Sequence, residues 1–366
     1  MTAIGIALPV AVLVAALALV NGLRAAFESS GSPLNVLVLR KGATAELSSA
    51  MTREMYRQLV AHSGVARGSD GRPLVSLELV TVVTLPTGET PGMSATLRGL
   101  QPAGIELRGL KLGDGRWFRS GRREVVVGRF VASRSPDARV GGSLRLGRHA
   151  WQVVGVVDGG KAAVNSEILG PIEQVSSQLN RAESLSSVLL RVSDPSTVRA
   201  VVKSLNDDRR LNVNAQSEVD YYAAQTASGT PLQALGLFVA IIMALGSSCA
   251  VMNTMYGAVA RRGKELGTLR VLGFSSRSVL TGVLAESLTI ALLGGLAGCL
   301  LVLPLNTLTT SVGNFVTLSE VGFTFAVDAR AMTVGLLFAL VMGSLGGLLP
   351  ARMAARKTIL AALRDL

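Results

Sequence analysis

Four long apolar runs constrain this chain more than any other feature: Ala3–Val20, Leu232–Met255, Val279–Leu303 and Ala331–Leu349. A bilayer core about 30 Å thick takes ~20 residues of helix to cross, so runs of this length read as membrane spans. Inside lipid a backbone polar group finds its partner only within its own segment, which makes each span a helix. The mean hydropathy of +0.45, with 49% hydrophobic and 16% charged residues, sets the chain apart from soluble proteins and agrees.

The spans divide the chain unevenly. A first helix within 1–23 precedes a polar domain at 24–230, and a second span occupies 231–257. A short loop, 258–277, leads to a third span at 278–305. A connection at 306–330, a fourth span at 331–350 and a tail at 351–366 complete the order. Charge sets the orientation. The loop holds Arg261, Arg262, Lys264, Arg270 and Arg277 against Glu265, and the tail holds Arg352, Arg356, Lys357 and Arg364 against Asp365. The 306–330 connection carries Glu320 and Asp328 with Arg330. Short loops rich in Lys and Arg stay in the cytoplasm, so this loop and both termini are expected inside, with 24–230 and 306–330 outside. Ala16-Leu17-Ala18 resembles a signal-peptide cleavage site. The length of the run, and the lack of Lys or Arg before it, favour a retained helix whose basic anchor would lie upstream of Met1.

The polar domain reads as α+β. Leu34–Leu39 is strand-like, Ser48–His62 has helical spacing, and Leu74–Leu85 and Ser94–Leu100 are strands, giving a β-α-β-β unit. From 106 to 180 the texture changes to a β-rich insertion. It contains Glu124–Val127, Ser143–Leu146 and Trp151–Val157, with turns at Gly113-Asp114-Gly115 and Gly141-Gly142 and a helix at Pro171–Asn180. A second β-α-β element, Ser187–Val192, Pro195–Leu205 and Leu211–Ala215, returns to the first sheet. The expected fold is therefore a four-helix membrane protein with an extracytoplasmic α+β domain.

Signals for catalysis are lacking. His62 and His149 are the only histidines and have no ligand spacing, so no metal site is expected. Gly257 and Gly263-Lys264 miss the phosphate-loop spacing by one residue, and Glu265 stands where a Ser or Thr belongs. Gly273-Phe274-Ser275-Ser276-Arg277 lacks the last glycine of a nucleophile elbow. Cys249 and Cys299 fall in spans and read as small packing residues. The net charge of +12 is in part a topology signal; 24–230 holds 26 Lys/Arg against 19 Asp/Glu with no basic stripe, which argues against nucleic acid.

The loop is the segment with a visible task. Leu266, Leu269, Val271 and Leu272 offer apolar side chains to the cytosol among basic ones. Glu286 is the one ionisable group inside a span. It reads either as the partner of a basic residue at a moving interface or as a carboxylate that positions the helix near the headgroups. Gly294-x₃-Gly298 and Gly343-x₃-Gly347 permit close helix approach, within one bundle or between two copies.

These residues carry a resemblance. Arg261-Arg262-Gly263-Lys264-Glu265-Leu266-Gly267-Thr268-Leu269-Arg270-Val271-Leu272-Gly273 resembles the cytoplasmic loop of FtsX-like, MacB-type ABC transporter permeases. Leu284-Ala285-Glu286-Ser287 with Leu293-Gly294-Gly295-Leu296-Ala297-Gly298 is similar to that family's third helix, and Leu349-Pro350-Ala351-Arg352 with Ala361-Leu363-Arg364 to its tail. The resemblance implies that residues 261–276 form a coupling helix docking onto a separate ATPase subunit. Arg262 and Glu265 would be polar contacts, Leu266, Leu269 and Leu272 apolar ones, and Gly267 and Gly273 points of close approach or helix ending.

It implies no cofactor on this chain, with ATP and Mg²⁺ held by the partner ATPase. It further implies a second permease copy, contact with membrane lipid, a periplasmic adaptor and a bacterial inner-membrane location. The function implied is a permease subunit that exports hydrophobic or amphipathic cargo by mechanotransmission. The alternatives are regulation of a periplasmic enzyme and release of lipoproteins.

Overall fold

A computed structural model of the protein describes residues 2–86, 92–160, 162–181, 183–226, 230–314 and 319–356. Lys357, Ala361, Leu363, Arg364 and Asp365 of the expected tail lie outside the described residues, as does Met1. The first apolar run forms α1 (Thr2–Glu28). The polar stretch opens with β1 (Asn35–Arg40), α2 (Arg53–Val60), β2 (Val75–Leu85), β3 (Met93–Leu100) and α3 (Pro102–Leu107). Then come β4 (Leu112–Gly115), β5 (Glu124–Gly128), α4 (Arg129–Arg134), β6 (Ser143–Leu146), β7 (His149–Val157) and β8 (Glu167–Pro171). It closes with α5 (Ile172–Gln178), β9 (Ser187–Arg191), α6 (Val198–Asp207), β10 (Val213–Ser217) and α7 (Glu218–Thr226). The last third holds α8 (Thr230–Arg261), α9 (Gly263–Val271), α10 (Ser276–Val302), β11 (Thr309–Asn314), β12 (Ser319–Thr324) and α11 (Ala329–Arg356).

The chain forms two compact units. One comprises Met1–Gly22, Gly229–Leu308 and Thr324–Leu366, and the other Leu23–Ser228 with Thr309–Phe323. Helical stretches long and apolar enough to cross a membrane run over Ala3–Glu28, Ala234–Arg261, Ser276–Thr307 and Ala329–Arg356. In the membrane unit, Ile6, Val10 and Val14 of α1 share a core with Val251 and Met255 of α8, Ala291 and Cys299 of α10, and Ala339 and Met342 of α11. Small residues let the backbones approach. A Cβ at Gly294 would lie 2.7 Å from the Ala3 carbonyl oxygen, and one at Gly298 2.5 Å from that of Ala7. Gly343 faces Ala291, Gly347 faces Ser287, and the buried Ser287 hydroxyl donates to the Gly343 carbonyl at 2.8 Å. Both glycine pairs are thus filled by helices of the same chain. Cys299 is buried as a packing residue, whereas Cys249 is exposed on α8.

In the outer unit β1 to β10 build one mixed sheet, in the order β10-β1-β9-β2-β3-β8-β5-β7-β4 with β6 beside β7, and β11 and β12 pair as a separate two-stranded sheet. The stretch 106–180 does not make a sheet of its own. β8 pairs parallel to β3 and antiparallel to β5, so β4 to β7 extend the sheet begun by β1 to β3. One set of its residues forms a core that includes Val36, Leu77, Val127, Trp151 and Ile168, and Leu100, Val126, Val157 and Leu169 pack with Phe118 in a second cluster. Gly113-Asp114-Gly115, expected as a turn, belongs to β4, which pairs antiparallel to β7. α2 starts later than its spacing suggested, because the Thr52 hydroxyl accepts the Met55 N–H at 3.3 Å and caps it. The connection between α10 and α11 forms a hairpin that packs in the outer unit. There the Gly322 N–H donates to the Ser166 hydroxyl at 2.7 Å, under the Phe130 ring.

Candidate functional site

α9 is a nine-residue helix set between two membrane-length ones. α8 ends at Arg261, and Arg262 leaves the helical region before α9 begins. Its other end is closed by a Schellman motif. The Phe274 N–H donates to the Leu269 carbonyl at 3.1 Å, the Gly273 N–H donates to that of Arg270 at 3.2 Å, and Gly273 adopts φ +95°. Only glycine takes that conformation without strain, so Gly273 ends the helix and lets the chain turn into α10. The Arg270 guanidinium donates to the Phe274 carbonyl at 3.0 Å and braces the same turn.

The residues expected to form the docking face separate into two sets. Gly267 is buried, and Leu266 is half-buried and packs on the membrane-unit core, which seats α9. Leu269, Val271, Leu272 and Phe274 are 37, 56, 70 and 50% exposed and make an apolar patch at the helix end. Arg261 at the end of α8, and Lys264 and Glu265 at the start of α9, are exposed as well. Arg262 and Glu286, read separately from the sequence, meet: Nη1 lies 3.1 Å from Oε1 and 3.2 Å from Oε2. The pair ties the α8–α9 junction to α10. Being half exposed, it contributes about 0–1 kcal/mol. Phe274 is a member of the patch that sequence spacing missed, since it lies beyond the helix.

The outer unit holds a second constellation that the sequence reading missed. Arg98 of β3 has 3% of its side chain exposed and donates to three carboxylates: Glu46 at 2.8 and 3.0 Å, Glu78 at 2.6 Å and Glu167 at 2.9 and 3.0 Å. Arg108 donates to Glu78 at 2.7 and 2.9 Å, to Glu218 at 3.1 Å and to the Tyr222 hydroxyl at 3.0 Å. Burial works against ionising Glu46, yet Arg98, Arg108 and the Ser187 hydroxyl hold its carboxyl down at about 2. Burial pushes the Glu218 carboxyl up from its ordinary value, against the pull of Arg108. Glu218 also accepts from the Ser32 N–H and the Asn35 amide, and Tyr222 stacks on Phe27 with ring centroids 6.4 Å apart. The cluster therefore joins the sheet to the outer end of α1 and to α7, the helix that precedes α8.

The arrangement defines a multi-pass membrane protein whose sheet-bearing unit is connected in sequence to every span. The family described as MacB-like periplasmic core domain matches residues 1–208, and the FtsX-like permease C-terminal family matches residues 237–359. The chain belongs to the FtsX-like, MacB-type ABC transporter permease family. It is 26% identical, over 99% of its length, to the macrolide export ATP-binding/permease protein MacB of Bdellovibrio bacteriovorus, and covers 58% of that relative. It is 25% identical, over 74% of its length, to the ABC transporter permease YknZ of Bacillus subtilis, of which it covers 70%. The crystal structure of the extracellular domain of YknZ from Gram-positive bacteria matches 50% of this chain and 99% of its own, at 17% identity and a TM-score of 0.39.

Proposed function

We propose that the protein is the permease subunit of an inner-membrane ABC exporter, with α9 as the coupling helix for a separate ATPase subunit. The exposed apolar patch Leu269, Val271, Leu272 and Phe274 carries this reading. Four large apolar side chains at the end of a short helix between two spans are left uncovered by the rest of the chain, which fits a partner that buries them. The basic residues of the loop favour the cytoplasmic side and an acidic surface on the partner. ATP and Mg²⁺ act on that partner.

The movement then runs along the chain. A shift of α9 pulls on α8 through Arg261-Arg262 and on α10 through the Arg262–Glu286 pair. α7 leads into α8, and α1 ends beside the Arg98–Arg108 cluster, so both helices deliver motion to one stiff region of the outer unit. Rigid elements carry motion between distant sites when the assembly has two discrete states. The proposed work is expulsion of hydrophobic or amphipathic cargo from the outer side, by a dimer of this chain or by a pair with a related permease. The macrolide-export name of the Bdellovibrio relative favours this cargo class.

A cysteine placed at Leu272, in a chain with Cys249 and Cys299 replaced by serine, tests the docking. It is expected to crosslink to the co-expressed ATPase subunit, whereas a cysteine at Leu308 is not. Equal crosslinking from both positions, or none from 272, refutes the assignment.

A further inference from the structure

α1 and α7 are not the only links between the spans and the outer unit. α10 and α11 reach it through the β11–β12 hairpin, whose residues Thr309–Phe323 belong to that unit. The two legs of the hairpin are tied together where they leave the spans. The Val327 N–H donates to Asn306 Oδ1 at 2.7 Å, and the Asn306 amide donates back to the Val327 carbonyl at 3.4 Å. Asp328 caps α11 by accepting the Ala331 N–H at 2.7 Å. The hairpin thus stands on one base instead of two loose legs.

Its other end is gripped. Val321 and Phe323 are buried, and the Gly322 N–H is held by the Ser166 hydroxyl at 2.7 Å. The Phe130 ring of α4 lies against Gly322 so closely that a Cβ there would come within 2.6 Å of both Cδ1 and Cδ2. Carbon atoms pack at about 3.5–4.0 Å, so only glycine lets the strand pass beneath this ring. Glu320 uses both oxygens: Oε1 accepts the Ser94 N–H at 3.4 Å and Oε2 the Ser311 hydroxyl at 3.0 Å. Ser94 lies on β3 and Ser166 directly precedes β8. These two strands pair in parallel and carry Arg98 and Glu167, which meet at 2.9 Å. Phe27 of α1, Tyr222 of α7, Arg98, Glu167, Glu320 and Val321 line one cavity of about 30 Å³. The connections from all four spans therefore converge on the same buried cluster.

We propose that the hairpin is a clasp through which α10 and α11 act on the outer unit, with Gly322 and Phe130 as its positioning residues. The ring and the Ser166 hydroxyl keep β12 from sliding when α10 moves, so the displacement passes to β3 and β8. A connection slack at either end would absorb it. The coupling role rests on the permease reading, whereas the grip itself does not.

Hydrogen–deuterium exchange of the full chain in nanodiscs tests both, first alone and then with its ATPase subunit. Alone, residues 319–324 are expected to exchange at least about tenfold more slowly in wild type than in Gly322→Val. Gly313→Val is the control on the same hairpin, because a Cβ there meets nothing within 4 Å, and it leaves that exchange unchanged. With the subunit bound, ATP alters the exchange of β3 and β8 in wild type. Gly322→Val cuts this response at least about threefold while the subunit stays bound. Adding Phe130→Ala makes room for the valine and restores it. Unchanged tryptophan fluorescence shows that the outer unit remains folded. Fast exchange of 319–324 in wild type, or equal effects from positions 313 and 322, overturns the clasp. So does a full ATP response in Gly322→Val, or a double variant as impaired as the single one. A slow hairpin with no ATP response in wild type overturns the permease reading, and the coupling role with it.

Discussion

Arg98 stands among three carboxylates in a space nearly closed to water, and such a hub is unforgiving of the loss of one partner. Removing the cation from a buried cluster leaves uncompensated charge and costs about 3–5 kcal/mol. Arg98→Met is therefore expected to lower the outer unit's melting temperature sharply. Tryptophan fluorescence reads this unit alone, because Trp117 and Trp151 are the chain's two tryptophans and both lie in it. Acid acts on the same groups. Glu46 is held at about 2 against an ordinary 4.5, so its contribution to stability is fully present above pH 4.5 and is lost as pH falls towards 2. Glu124 follows the same course, held at about 2 first by its hydrogen bonds from Arg116. The melting temperature should stay level with respect to these groups above pH 4.5 and decline below it. A decline that leaves Arg98→Met and wild type equally separated throughout would contradict the assignment to Glu46. A signal for this cluster was present in the sequence, since Glu78 and Arg98 interrupt otherwise apolar strands. Spacing alone does not say that β2 and β3 pair, with Val80 opposite Arg98, or that Glu46 and Glu167 arrive from elsewhere.

α9 depends on its ending as much as on its length. Gly273 adopts φ +95°, where a β-branched side chain is strained by ~1–2 kcal/mol or more. Gly273→Val is expected to leave insertion intact while reducing ATPase coupling severalfold, because Leu272 and Phe274 lose their fixed positions. Normal coupling in that variant would show that the turn does not position the patch. Elements of this kind were legible to the extent that their signals are local. The four spans and the basic loop follow from short stretches of sequence, whereas Gly273 as a helix stop came only with the family resemblance. α3 and α4, six residues each, carry too few residues for a period to show. The strand β8 was hidden for a different reason: Glu167–Pro171 is short, Pro-terminated and placed by its partners β3 and β5.

In the molecule as a whole, the chain passes between its two units at Gly22–Leu23, Ser228–Gly229, Leu308–Thr309 and Phe323–Thr324. Under the proposed mechanism, these four crossings give a push on α9 covalent routes into the sheet-bearing unit. The sequence left open whether the two glycine pairs served one bundle or two copies. Gly294 and Gly298 meet α1, and Gly343 and Gly347 meet α10, so close packing of the bundle itself accounts for them. The sequence also treated Arg262 and Glu286 as separate features, since a contact 24 residues apart depends on how α8 and α10 pack. The central claim is that α9 transmits ATPase action through its exposed apolar end. The direct measurement is ATPase activity of the chain and its ATPase subunit co-reconstituted in nanodiscs, comparing wild type with Leu269→Asp plus Leu272→Asp. Both side chains are exposed, so the variant should insert and fold while losing assembly or most of the coupled activity. Wild-type assembly and hydrolysis in that variant would contradict the account.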